Sequence, residues 1–156
     1  DMWRIFGLCL YGDKMWFVDE EHHSFRLDDI KKMLIDAKVG MYDTAKVVRR
    51  TKNTAADKDL EVVETTNLEL LLGSAPSCRA VVTTGQKATD IFCQHFDVTQ
   101  PKVGKYVCFN FQNRLLRLYR MPSSSRAYPM KLERKAEAYQ PLFDEFIKTN
   151  IHNLST

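Results

Sequence analysis

The chain has no apolar run approaching the length of a membrane span, and its opening residues lack the layout of a signal peptide. No membrane association is therefore expected, and cytoplasmic residence is the default. None of the four cysteines (Cys9, Cys78, Cys93 and Cys108) belongs to a C-x-x-C pair. Each sits in an apolar helix or strand pattern, so they are expected as free buried thiols, with no metal and no cofactor. There is no internal repeat and no low-complexity segment. Thr83-Thr84-Gly85-Gln86-Lys87 is not a Walker A loop: no glycine stands five residues before Gly85, and Lys87 is misplaced relative to it. Excess charge is also scarce. A formal net charge of +3 and a pI near 8.7 permit nucleic-acid binding, although a dedicated DNA-coating protein is usually more basic.

What is present describes one globular domain, residues 1–156, with 44% hydrophobic and 28% charged residues. Asp1 to Leu10 has helical spacing, with Trp3, Phe6 and Leu10 sharing a face. Ser24 is placed to cap a helix from Phe25 to about Lys38, with a buried stripe of Leu27, Ile30, Leu34 and Ala37. Asp28 and Asp29 suit its first turn and Gly40 its stop. Met41 to Arg49 reads as a strand running into a polar loop that extends to Asp59. Asn67 is placed to cap a short helix through Leu72.

Arg79 to Thr84 reads as a buried parallel strand, followed by a helix opening at Gly85 with Ala88, Ile91, Phe92 and His95 facing inward. Val103 to Phe111 and Leu115 to Tyr119 read as strands joined at Gln112-Asn113. A terminal helix carries Leu132, Ala136, Tyr139, Phe143 and Ile147, with a kink or restart at Pro141. Helices alternating with strands predict a three-layer α/β/α domain with a short, mostly parallel sheet.

The segment with most chemistry is Met121-Pro122-Ser123-Ser124-Ser125, followed by Arg126, Tyr128 and Lys131. It lies between a strand and an amphipathic helix. A proline and three hydroxyls there make a rigid loop rich in N–H and O–H donors, suited to gripping a phosphate, with Arg126 and Lys131 adding positive charge. Gly85 and Gln86 stand at a second strand-to-helix turn, where free N–H groups favour an anion. Two such loops at strand ends would share the carboxyl edge of the sheet, where α/β proteins bind ligands. His22-His23 reads as a solvated loop pair. Arg49, Arg50, Lys52, Arg117, Arg120, Arg134 and Lys135 read either as a basic face or as ordinary surface charge. Tyr42 reads as a stacking residue or, more simply, as core; Asp43 reads equally as a base-reading carboxylate and as a turn or cap residue.

Met-Pro-Ser-Ser-Ser in this context closely resembles the second signature motif of the uracil-DNA glycosylase superfamily, nearest to its mismatch-specific thymine/uracil and hypoxanthine/uracil branches. Thr83 to Thr89 resembles that family's strand–glycine–helix segment, which contacts DNA phosphate. Gly40 to Ala45 with Ala56-Asp57 resembles its hypoxanthine-type branch. Asp1-Met2-Trp3 looks like the tail of the first motif, whose asparagine is expected just before Asp1. The resemblance covers Trp3 to about Phe146. It implies a monomeric DNA repair glycosylase acting on double-stranded DNA that contains a damaged or mismatched base, uracil first and hypoxanthine second, with no cofactor. The water-positioning residue would belong to the first motif. Met121, Pro122 and Ser123–Ser125 would clamp phosphate, Arg126 or Tyr128 would fill the vacated stack, and Gly85 with Gln86 would hold a second phosphate. Asp43 and Tyr42 are the candidates for the base. The alternatives are a non-catalytic nucleic-acid or nucleotide-binding domain of the same fold, and a hydrolase of free nucleosides.

Overall fold

A computed structural model describes residues 2–42, 45–50, 60–65, 67–148 and 150–151, the backbone alone for 45–50 and 60–65. Two compact units emerge. The first joins Asp1–Met41 to Pro129–Thr156, and the second is the continuous segment Tyr42–Tyr128.

The first unit opens with α1 (Met2–Tyr11), then a short hairpin of β1 (Val18–Asp19) and β2 (Ser24–Phe25), then α2 (Leu27–Ala37). It is completed by α5 (Leu132–Leu142), which runs into a π-helical turn at Phe143–Ile147. The core is aromatic: Phe6 meets Phe143 edge-on, with centroids 4.8 Å apart. The α1 and α5 helices are further tied by the Cys9 thiol, which donates to the Ala136 carbonyl at 3.4 Å. Pro141 stands inside α5, two residues before the wide helix begins at Phe143. Having no N–H, it leaves a gap in the ladder, and the widened turn follows, as the expected restart requires.

Ser24 does not cap α2. It pairs with Asp19 in the hairpin, and Arg26 holds the cap position. The helix stops at Lys38, in the left-handed region at φ 59°, rather than at Gly40. The buried stripe is Ile30, Met33 and Ala37, while Leu27 is 60% exposed. The hairpin takes up the chain as far as Phe25, which starts the helix two residues later than expected and shifts which residues face inward.

The second unit begins with an antiparallel hairpin of β3 (Ala45–Arg50) and β4 (Leu60–Thr65). β3 falls largely within the strand expected from Met41 to Arg49, and β4, which was not expected, begins just beyond the expected loop; 51–59 lie outside the described residues. Next come α3 (Leu68–Gly73), β5 (Ala80–Thr84), α4 (Gln86–Phe96), β6 (Tyr106–Phe111) and β7 (Arg114–Met121). Asn67 caps α3 as expected, its side chain accepting from the Leu70 N–H at 3.0 Å.

The sheet runs β5-β7-β6, parallel between β5 and β7 and antiparallel between β6 and β7. It is mixed rather than mostly parallel, because β6 and β7 are joined by a two-residue turn. Gln112 and Asn113 both take positive φ, as a tight hairpin demands. On one face Leu116, Leu118 and Phe109 meet Leu72 of α3 and Phe92 of α4 in the core. β5 is parallel to β7 as expected, but among the described strands it lies at the edge with only Thr83 buried, rather than being a buried strand. The inward face of α4 is Thr89, Phe92 and Cys93. His95 points out instead, 3.4 Å from Glu69. At the level of class the molecule is mixed α/β.

Candidate nucleic-acid interface

Because β5 and β7 run parallel, their carboxyl ends reach the same edge, with Thr84 level with Met121. The Gly85 N–H donates to the Met121 carbonyl at 3.0 Å, so the two strand-end loops are hydrogen-bonded to each other at their roots. The juxtaposition expected of Gly85 and Met121–Ser125 is therefore present.

Gly85 has φ 86° and ψ 168°, a region essentially reserved for glycine. Its position is enforced from beneath. The Thr89 hydroxyl donates to the Gly85 carbonyl at 2.8 Å and lies 2.9 Å from the Thr83 hydroxyl. Both threonines are buried. These bonds explain why α4 turns a polar residue inward where an apolar stripe was expected: each buried hydroxyl has a partner.

Gln86 is differently employed than expected. Its side-chain oxygen accepts from Arg120, and its amide nitrogen donates to Asp90 at 2.7 Å and to Gln100 at 3.2 Å. Gln100 also donates to Asp90 at 2.7 Å, and Arg120 donates to the Pro101 carbonyl at 3.1 Å. The Gln86 side chain thus locks the start of α4 to β7 and to the segment after α4. What this turn leaves for an anion is the backbone N–H groups of the first helical turn.

In the second loop Met121, Pro122 and Ser123 are buried, Ser124, Ser125 and Tyr128 are half-buried, and Arg126 is exposed. Ser123 Oγ accepts from the Ser125 N–H, and Ser125 Oγ from the Ala127 N–H, both at 3.2 Å. The Tyr128 N–H donates to the Ser125 carbonyl at 3.1 Å. Several of the donors expected to face a phosphate thus stiffen the loop itself, since serine oxygens close their own turns. Ser124 makes no hydrogen bond among the described residues, so its N–H and O–H remain to be offered to a ligand. Lys131 belongs to the other unit, where it is exposed at the cap position of α5.

The remaining candidates scatter. Asp43, Lys52 and Asp57 lie outside the described residues, as do the side chains of Arg49 and Arg50. Tyr42 is 73% exposed and in no strand, so it is not a core aromatic. Arg117 stacks on the Tyr106 ring at 4.5 Å and donates to the Tyr119 hydroxyl at 3.1 Å. Lys135 is buried, and burial pushes its ammonium below the ordinary lysine range, which removes it from any basic face. His22 pairs with Asp19 at 2.8 Å, and that bond holds the Asp19 carboxyl below its usual range.

Burial drives the Cys9 thiol up to about 12 and raises Cys93 as well, whereas Cys108 is exposed rather than buried. The outward direction of Cys108 follows from alternation along β6, where Phe109 and Phe111 take the core face. Among the described residues no group of three or more His, Cys, Asp or Glu side chains could hold a metal ion, and no helix is long and apolar enough to cross a membrane.

Sequence reasoning passed over Thr83, Thr89 and Arg120 as builders of the edge. A Thr pair six residues apart across a strand–glycine–helix turn was the available signal. No family model, no curated protein and no solved structure matches the chain.

Proposed function

We propose that the chain is a monofunctional DNA glycosylase. It hydrolyses the N-glycosidic bond of a deaminated or mismatched base, uracil first and hypoxanthine second, extruded from double-stranded DNA. The observation that supports this reading best is the junction of the two strand-end loops. The turn at Gly85 and the serine loop leave one edge, tied by the Gly85–Met121 hydrogen bond. Backbone N–H groups at the first, and Ser124 with Arg126 at the second, would contact neighbouring phosphates of one strand and hold it bent. Water then adds to C1′, the C1′–N bond breaks, and the base leaves with the electron pair and a proton. The flanking phosphates stabilise the oxocarbenium-like sugar, so the chemistry requires no cofactor.

A second reading is a non-catalytic nucleic-acid-binding domain with the same phosphate grip.

The deciding assay incubates the protein with duplex DNA carrying a single uracil, in EDTA. Release of uracil is expected, with duplex binding that weakens with salt as for roughly 3–5 phosphate contacts. Ser124→Ala with Arg126→Ala should weaken duplex binding and leave affinity for free base unchanged. Salt-dependent binding without release of uracil or hypoxanthine would select the binding-domain reading.

A further inference from the structure

The first unit contains a half-open cleft of about 530 Å³, independent of the strand-end edge. One wall is an aromatic platform. Tyr11 and Trp16 stack with centroids 4.1 Å apart and planes 18° from parallel, and they remain 46% and 47% exposed. Such exposure of two large rings is costly, and the platform is rigidly built. The Asp13 N–H donates to the Gly7 carbonyl, the Trp16 N–H donates to the Asp13 carbonyl, and Asp13 Oδ1 accepts from the Met15 N–H at 2.9 Å. Gly7 is required beneath it, because a Cβ there would collide with the Asp13 carbonyl oxygen. Buried Phe17 meets Tyr11 edge-on at 6.0 Å.

The other wall is one face of α2. Asp29, Lys32, Met33 and Asp36 recur at helical spacing and all line the cleft. Asp29 and Asp36 make no hydrogen bond or ion pair among the described residues, and they stand two turns apart, about 10 Å along the axis. Asp13 also lines the cleft, and so do two cations, Lys32 and Arg26. Arg26 Nε is turned to the Val18 carbonyl at 3.4 Å. The lining therefore carries three carboxylates against two cations, one of them partly engaged.

We propose that this cleft receives the guanidinium of an arginine side chain from a partner protein. A guanidinium is the cation that combines a flat face for stacking on Tyr11–Trp16 with forked donors for a carboxylate of Asp29 or Asp36. An ammonium offers the charge without the plane. A nucleotide offers the plane, but its phosphate would meet the excess carboxylates. The volume lies within the range of small-ligand sites and exceeds one side chain, leaving room for the residue beside the arginine.

The test is titration of the whole chain with N-acetyl-arginine amide, followed by amide chemical shifts. Saturable shifts confined to residues 11–17 and 26–36 are expected in the millimolar range. N-acetyl-lysine amide should bind about threefold or more weakly, the factor that a cation–π contact of this exposure supplies. Asp29→Asn with Asp36→Asn should weaken arginine binding at least about fivefold, and Lys32→Gln should strengthen it about twofold, because charge alone distinguishes these changes. All three positions lie on the cleft-facing side of α2 and outside the buried stripe, so the helix persists. Equal binding of the lysine probe, no saturable shift, or tighter binding of uridine monophosphate at the same residues would overturn the proposal. So would Lys32→Gln weakening arginine binding.

Discussion

Gly85 shows how much a single residue can set. With φ 86° and ψ 168° it stands where a side chain is strained whatever space surrounds it. Gly85→Ala is expected to cost about 1–3 kcal/mol in urea unfolding and to weaken any anion binding at the start of α4. Thr89→Val keeps the shape and removes the hydroxyl that faces the Gly85 carbonyl and the Thr83 hydroxyl. It should cost about 1–3 kcal/mol, as the loss of a buried partner does. A Thr89→Val protein as stable as the parent would show that the threonine pair does not hold the turn.

At the scale of elements, one side chain adds a polar tie to the apolar contact between α3 and β7. Arg114 donates to the Leu72 carbonyl at 2.9 Å, the Ala75 carbonyl at 2.8 Å and the Cys78 carbonyl at 3.4 Å, and lies over the Phe111 ring at 5.6 Å. The guanidinium thereby adds a second donor to the Leu72 and Ala75 carbonyls, which also accept from the Ala75 and Cys78 N–H groups. Arg114→Met retains the stem and removes the donors. Its expected cost is about 2–3 kcal/mol by chemical denaturation, with Arg114→Lys recovering only part, since an ammonium cannot span three acceptors in a plane.

Elements whose signals were local were legible in the sequence: the Asn67 cap, the Gln112-Asn113 turn, the break at Pro141, and the shared edge of Gly85 with the serine loop. Features set by distant partners were not. Ser24 looks like a cap until Asp19 claims its backbone, and the periodicity of α4 does not reveal that Thr89 has buried hydroxyl partners. Arg114, Arg117 and Arg120 carry the same charge in the sequence as any surface arginine. Only the fold shows that each is committed to carbonyls, a ring or a glutamine. Tyr42 could be weighed only as core or stacking, and its exposure removes the first of these.

For the molecule as a whole, the buried thiol Cys9 links stability to pH. Its folded value of about 12 lies above the ordinary 9.0, because burial disfavours the thiolate. The sign follows. Near pH 9 the unfolded chain begins to lose this proton while the folded chain keeps it, so stability present below pH 9 is lost as pH rises towards 12. Burial raises the Tyr139 phenol as well, and it acts in the same direction. The slope from Cys9, trimmed for partial solvent screening, is under about 1 kcal/mol per unit of pH. Urea midpoints between pH 8 and pH 10 should fall less in Cys9→Ala than in the parent; equal falls would remove Cys9 from the account. In the same protein, Cys108 should react with a thiol reagent while native, and Cys9 only after unfolding.

The order of the chain also has a consequence in time. Tyr42–Tyr128 is continuous, whereas the unit around it is assembled from the two ends of the sequence. The Cys9–Ala136 hydrogen bond alone joins residues 127 positions apart. During synthesis every strand of the inserted segment is made before α5. Its hairpins and local helices can therefore collapse first, while α1 and α2 wait with their apolar faces uncovered. Closing so long a loop is entropically costly and slow unless the intervening segment is already compact. A collapsed inserted segment would shorten the effective tether between α1 and α5. A ribosome-bound chain ending at Tyr128 and followed by an unstructured linker long enough to clear the exit tunnel should then show protease-resistant β5 to β7 beside a digestible α1.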